Sequence, residues 1–468
     1  MASVLRENLE DVSVSIRDLP AERIGWASTE CVLKAEKPDL LCLGEETVSC
    51  HEAIRMANLA KKMFPGITVI CGGTHFSNTI EETLHNPVFD FVVQQEGEAT
   101  LNELVKCLLE KKDYSKVFGI AYKNGKKIVI TPNRPLLDMD LLPFPAYDLL
   151  NMDNYGKRSK THKDLVAVEH SRGCSFQCNF CVLWKHMGKK RGNTFIPCYR
   201  TKSAKKTADE VQLIKEKFHR KTFCWVDPTW NLDSKWNKEF VKELIDRDID
   251  VDHSAWMRAD CIVRDYNNGT LKQQVKAGLK QAMIGVERSE QKDLEFLGKG
   301  IQNFEIAKKA FECLGKYPQV LKIATYIYGL PYESVSTLDH FYSDLEKINF
   351  DISLPIPLTP APGTLFYEKY KDYVEIKDFS FYNFLNPIMR TDHLSRSKLV
   401  YESNKRELFL RVSHFPSNSL GSSRSKTAVR RITKAKMFTT LRFVKNILTE
   451  TVLQRPTNLN IKPSWYNS

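Results

Sequence analysis

Short apolar runs ending in glycine alternate with longer stretches of helical period over the first 150 residues. Asp39-Leu-Leu-Cys-Leu-Gly44 is the first such run, and the apolar spacing from Cys50 to Phe64 behind it predicts a helix. Ile67 to Gly73 is a second run, closed by paired glycines. Phe89 to Val93 is a third, closed by Glu96-Gly-Glu98 and followed by a helical stretch from Leu101 to Glu110. Strand, glycine turn and helix in repetition predict a doubly wound, Rossmann-like α/β domain with a parallel sheet. Ligands of such sheets bind outside the carboxyl ends of the strands. Gly44, Gly72, Gly73 and Gly97 all fall there, where a missing side chain admits a large planar or phosphate-bearing ligand to the backbone. Phe118 to Thr131 reads as a hairpin turning at Lys123-Asn-Gly125. Prolines between Pro135 and Tyr147 forbid a continuing helix and mark a linker.

From Leu165 the alternation resumes, but the strands now end in polar residues. Val166 to Glu169, Phe223 to Asp227, His253 to Arg258, Gln281 to Glu287, Ile323 to Pro331 and Ile352 to Pro360 are six such strands. Six β/α units predict a partial, open (β/α)6 barrel of TIM type, with its site at the C-terminal strand ends. The chain therefore divides into a Rossmann-like domain (1–134), a linker (135–160), a barrel (161–365) and a helical C-terminal region with a basic tail (366–468).

Composition narrows the class. Apolar residues at 42% and charged residues at 27% are those of a soluble globular protein. No apolar run nears the ~18–20 residues needed to span a bilayer, and no secretory signal opens the chain. Twelve cysteines without disulfide-framework spacing imply reduced thiols and a cytoplasmic setting. From Gly421 onward ten Lys/Arg face one acid, Glu450, so +9 of the net +12 lies in the tail and about +3 in the rest. Nucleic acid is thus not an expected partner, since only the tail could hold it. Val429, Ile432, Met437, Leu441, Val444 and Leu448 fall at near-helical spacing among the tail's basic residues. Such a helix lies at an anionic membrane surface or packs on the barrel with its basic face solvated.

The most specific chemistry is Cys174-Ser-Phe-Gln-Cys178-Asn-Phe-Cys181, within His170-Ser-Arg-Gly-Cys. Three thiolates on one tight loop hold three irons of a cubane and leave the fourth iron open. Structural zinc would take four N/S ligands, commonly from paired short motifs, and no second C-x2-C exists. The spacing, with Phe180 before the last cysteine, resembles the signature of the radical SAM superfamily. That resemblance implies a [4Fe–4S] cluster whose open iron is chelated by S-adenosylmethionine (SAM). The reduced cluster then yields a 5′-deoxyadenosyl radical from SAM.

The resemblance also assigns the strand ends. Asp227 falls where the family contacts the SAM amino group, and Glu287 where it holds the ribose or methionyl end. Arg258 is a candidate for the SAM carboxylate or an acidic substrate, and Gly329 and Phe180 are candidates for the adenine. The first domain resembles the cobalamin-binding domain that precedes the barrel in one large subfamily, through the Lys37-Pro-Asp-Leu-Leu strand, the Gly72–His75 turn and the Glu96–Glu98 turn. The first strand of that fold is missing, and so is the Asp-x-His-x-x-Gly motif that carries a cobalt-ligating histidine. His75 is the candidate contact for the corrin or its cobalt. After the barrel, Tyr382-Asn-Phe-Leu-Asn-Pro-Ile-Met389 resembles the branch containing the anaerobic magnesium-protoporphyrin IX monomethyl ester oxidative cyclase. The branch also holds methylases of unactivated carbon. Implied partners are an apolar or tetrapyrrole-like substrate and an electron donor such as ferredoxin or flavodoxin. Cyclase-like oxidation is the first expectation and C-methylation the second; a non-catalytic iron–sulfur or nucleic-acid-binding protein is the competing class.

Overall fold

The structure, a computed structural model, describes residues 1–156, 164–192, 194–300, 302–413, 449 and 462–467. The basic helix expected over 426–453 lies outside the described residues, save Thr449. Three helices precede the first strand. Strands β1 (Leu40–Gly44), β2 (Thr68–Gly72) and β3 (Phe91–Val93) run parallel, and the hairpin β4 (Ile120–Asn124) and β5 (Lys127–Ile130) extends the sheet in the order β1-β2-β3-β4-β5. No strand precedes Leu40 among the described residues, so β1 forms an edge, as the missing first strand implied. Both faces of the sheet are covered. The helix Cys50–Met63 buries Cys50, Ala53, Ala57 and Ala60 against one face, and Glu98–Leu109 buries Leu101, Leu104 and Val105 on the other. That spacing of three and four is the apolar stripe of an amphipathic helix.

Next come β6 (Leu165–Val168), β7 (Ser171–Cys174), β8 (Lys189–Arg191), β9 (Thr194–Ile196) and β10 (Cys198–Thr201). They are followed by β11 (Thr222–Trp225), β12 (Asp252–Met257), β13 (Leu279–Glu287), β14 (Leu321–Tyr328) and β15 (Ile352–Pro357). Six of these form one parallel sheet, β6-β11-β12-β13-β14-β15, whose end strands do not pair with each other. This is the open barrel expected from the strand pattern. The helix Arg396–Ser413 packs on β15 and on the helix Val335–Leu345, where its fully buried Glu407 meets Tyr326 and Ser353.

Two features depart from expectation. The cysteine loop begins on a strand: β7 pairs antiparallel with β10, setting Cys174 opposite Cys198, and β8 pairs with β9 as an exposed hairpin. The stretch from Pro135 is also packed rather than free, for Met139 and Tyr147 are buried and Tyr147 donates to Glu210 at 2.7 Å.

Three buried histidines give the fold an acid sensitivity. Burial holds His75 and His186 down to about 4 and His253 to about 3. Each is neutral in the fold where an unfolded histidine, near 6.5, would take a proton. Their contribution is therefore complete above pH 6.5 and lost as pH falls toward 4. Thermal melts should show a falling midpoint between pH 7 and 5, and a flat profile over that range would exclude these residues as the cause.

Candidate active site

The cysteine loop is gripped from two sides. From behind, Asp227 at the end of β11 accepts the backbone N–H groups of His170 and Ser171 at 3.0 and 2.5 Å and the Ser171 hydroxyl at 2.7 Å. His170 Nδ1 lies 3.0 Å from the same oxygen, with its ring stacked 4.0 Å from Trp236. Burial pushes the Asp227 carboxyl up, but His170 and Ser171 together hold it below the usual range. Its side chain is 0% exposed, and its other oxygen, Oδ2, is buried with no hydrogen-bond partner among the described residues. Through Oδ1 this acid positions the strand that leads into the cysteines. Gly173, with φ at +80°, completes the join, since a Cβ there would sit 1.9 Å from the Cys198 carbonyl.

From the front, the end of the short helix Gln291–Phe296, which follows β13, clasps the loop. Asn179 donates its backbone N–H to Leu297 at 2.9 Å and its side-chain amide to Phe296 at 2.7 Å, and Gly298 is bare against the Gln177 carbonyl. Between the grips, Trp184 Nε1 donates to the Cys178 carbonyl at 3.1 Å, and the N–H groups of Leu183 and Trp184 point at the Cys181 sulfur. Burial raises the Cys178 thiol to about 12 and pushes up that of Cys181. Iron must displace these protons, as metal binding to thiols does. Among the described residues no three ligating side chains converge tightly enough for one ion. Three irons of one cubane need the sulfurs further apart.

Glu287 sits at a bulge with φ at +61°, which turns its side chain out of the strand ladder. It pairs with Lys299, whose ammonium lies 5.9 Å from the Phe180 ring centre. Lys299 was not singled out by sequence reasoning, although Leu297-Gly-Lys-Gly300 was the signal. Arg258 forks onto Asp260 with two 3.0 Å hydrogen bonds and stacks 3.5 Å over Phe176 of the cysteine loop. Its bidentate edge is thus occupied, leaving Nη1 without a protein partner among the described residues. Gly329, with φ at +81°, donates its N–H to Glu333 and would press a Cβ on Leu399 at 3.0 Å. Leu399 of the C-terminal helix lies against Gly329.

At the Rossmann strand ends only Gly44 leaves open space, with nothing within 4 Å of an added Cβ. Gly72 faces the Val93 carbonyl, Gly73 (φ +85°) turns on the Glu45 backbone and Gly97 lies under Met1, so these three serve the fold's own packing. His75 is 4% exposed, with Nδ1 3.2 Å from Thr47 Oγ1 and its ring edge-on to Phe76 and Phe379. Phe379 belongs to the segment after the barrel, which thus closes over His75. As it lies, the His75 ring faces Thr47, Phe76 and Phe379.

The two domains meet through ions. Glu96 accepts from Arg172 of β7 and Arg200 of β10, both at 3.0 Å, and Glu98 accepts from Arg172 at 2.8 Å. The turn that ends β3 is therefore fastened to the cysteine strand.

A Rossmann-like domain fastened to an open barrel with a three-cysteine loop at its first strand defines the class, and the chain belongs to the radical SAM superfamily. The family model of the B12 binding domain matches residues 1–105, and that of the Radical SAM superfamily residues 168–345. The chain is 27% identical over 406 residues to an uncharacterized methyltransferase, PH0819, of Pyrococcus horikoshii, covering 85% of this chain and 83% of the relative. It is 30% identical over 382 residues to the anaerobic magnesium-protoporphyrin IX monomethyl ester cyclase of Rubrivivax gelatinosus, covering 80% and 66%. Among solved structures it superposes on the cobalamin-dependent SAM radical enzyme OxsB with a TM-score of 0.69 at 15% identity, covering 98% of this chain and 78% of that one. The last is a likeness of fold.

Membership brings a [4Fe–4S] cluster and SAM as cofactors, and the B12-binding domain brings cobalamin. The residues fit: Cys174, Cys178 and Cys181 supply the thiolates, and Gly44 opens the sheet's carboxyl edge to a corrin.

Proposed function

We propose that this enzyme functionalises an unactivated carbon of an apolar, tetrapyrrole-like molecule by cobalamin-assisted oxidation and ring closure. The observation that supports this most is Phe379 lying on His75 while its ring meets Tyr382, because this sets the start of the cyclase-like segment at the expected corrin end of the Rossmann domain. When bound, the cluster supplies the electron that cleaves SAM, and the corrin supplies a second redox centre or methyl carrier. The chain's part is to bind and orient. Lys299 faces anionic groups beside the cysteine loop, Glu287 is the acid nearest to it for ribose hydroxyls, and Arg258 Nη1 offers a donor to a carboxylate. Phe180 presents an apolar face for adenine. C-methylation is the second reading, favoured by the similarity to PH0819 along most of both chains.

Anaerobically reconstituted protein, given SAM, reductant, cobalamin and a magnesium-porphyrin monomethyl ester, separates the two by mass. Oxidation adds no methyl group, whereas methylation adds one and yields S-adenosylhomocysteine. Formation of neither 5′-deoxyadenosine nor S-adenosylhomocysteine would reject both. His75→Ala should bind as much cobalamin as the wild type, measured by cobalt content. Loss of cobalamin in that variant alone would restore the histidine as a ligand.

A further inference from the structure

Between Glu169 and Asp209 the chain carries nine Lys/Arg and no acid. Five are committed within the fold. Arg172 and Arg200 meet Glu96, Lys202 meets Glu210, Lys185 donates to the Gly363 carbonyl and Lys206 to that of Asp140. Lys189, Lys190 and Arg191 make up β8, all exposed, and have no carboxylate partner among the described residues. The register with β9 pairs Lys189 with Ile196 and Arg191 with Thr194, so these four share one face of the hairpin. Ile196 is an exposed apolar residue at the edge of that basic face.

The hairpin is joined to the cysteines at both ends. It follows the short helix after Cys181 and leads into β10, where Cys198 stands opposite Cys174. Gly188 at its base lies so close to the Trp184 and Ile196 carbonyls that a Cβ would fall 2.4 and 2.8 Å from them. A protein seated on the hairpin is therefore held beside the cluster loop.

We infer that the strand pair Lys189–Arg191 and Thr194–Ile196 docks a small acidic electron-carrier protein. The inference rests on the radical SAM reading, which draws its electron from outside the chain. One electron passes from the reduced carrier to the oxidised cluster, with no bond or proton change in either. Two cations, Lys189 and Arg191, beside exposed Ile196 on one face, with Lys190 on the other, suit a compact acidic patch. They are few for a nucleic acid, whose binding builds on many phosphate contacts, or for a membrane, at ~1 kcal/mol per basic residue.

The test uses the reconstituted holoprotein, a reduced flavodoxin of net negative charge, and the variants K189E/K190E/R191E and K189Q/K190Q/R191Q. Cluster reduction, followed by visible bleaching, should slow about tenfold or more in the Glu variant at low salt, the scale of electrostatic steering. The Gln variant should slow less. The difference should vanish near 1 M salt, where the screening length is about 3 Å. Iron content and the end point with dithionite should match in all three proteins. Equal flavodoxin rates in wild type and Glu variant would overturn the inference. So would loss of binding to anionic vesicles or duplex DNA with the flavodoxin rate intact. A wild-type cluster that dithionite cannot reduce would instead count against the radical SAM reading.

Discussion

Cys178→Ala is expected to abolish the visible absorbance of the reconstituted protein and take bound iron from about four per chain to near zero. The loop supplies three thiolates, and SAM occupies the remaining iron, so no spare ligand exists within the motif. Cys178 is buried, and its carbonyl is tied to Trp184, so the backbone holds its place without admitting water to the iron. Cys181→Ala removes the sulfur at which two backbone N–H groups point. It should behave alike, as should Cys174→Ala. Cys198→Ala is the control. Its sulfur belongs to the strand opposite Cys174 but lies outside the motif, so cluster content should stay at the wild-type level. Absorbance retained in all three motif variants would reject the cluster assignment.

The strands and the cluster loop were legible because their signals are local. A run such as Phe223-Cys-Trp-Val, buried at every second residue, declares a strand wherever it is found. The six-strand sheet follows from repetition of that pattern. The β8–β9 hairpin was not legible, since Lys189-Lys-Arg191 is exposed throughout and carries no apolar alternation. The surroundings of the site residues were not legible for a different reason. The sequence places Asp227 at a strand end, but not which of its neighbours will bind it, and His170 and Ser171 close on its Oδ1. Gly72, Gly73, Gly97 and Gly329 were read as room for ligands because a glycine's vacancy looks the same whether a cofactor or the chain itself fills it. Only the fold brings Val93, Glu45, Met1 and Leu399 against them. His75 meets Phe379 from 304 positions away, and no periodicity reports such a contact.

Arg172 is the other long-range surprise, and its removal should be costly. Its guanidinium serves three carboxylates, Glu96 at 3.0 Å, Glu98 at 2.8 Å and Glu169 at 2.6 Å, while 12% exposed. Arg172→Ala strands those acids in a poorly hydrated seam between the domains. Breaking a buried pair costs roughly 3–5 kcal/mol. Arg200 still neutralises Glu96 and water reaches Glu169, so the lower end, about 3 kcal/mol, is expected here. Arg6→Ala sets the baseline: Arg6 and Asp148 are more than 40% exposed, and such pairs contribute about 0–1 kcal/mol. The pH dependence identifies the cause. Burial pushes the Glu98 carboxyl up, but Arg172 outweighs it and holds the group below its ordinary 4.5. A depressed carboxyl stabilises the fold fully above that value and loses its effect as pH falls through the folded pKa. The advantage of wild type over Arg172→Ala should therefore be complete at pH 7 and shrink below about pH 4.5. Because the seam joins the β3 turn to the cysteine strand, calorimetry of the variant should also resolve the Rossmann domain and barrel as separate transitions. A variant that melts like Arg6→Ala, in one transition, would show that the domains are held together elsewhere.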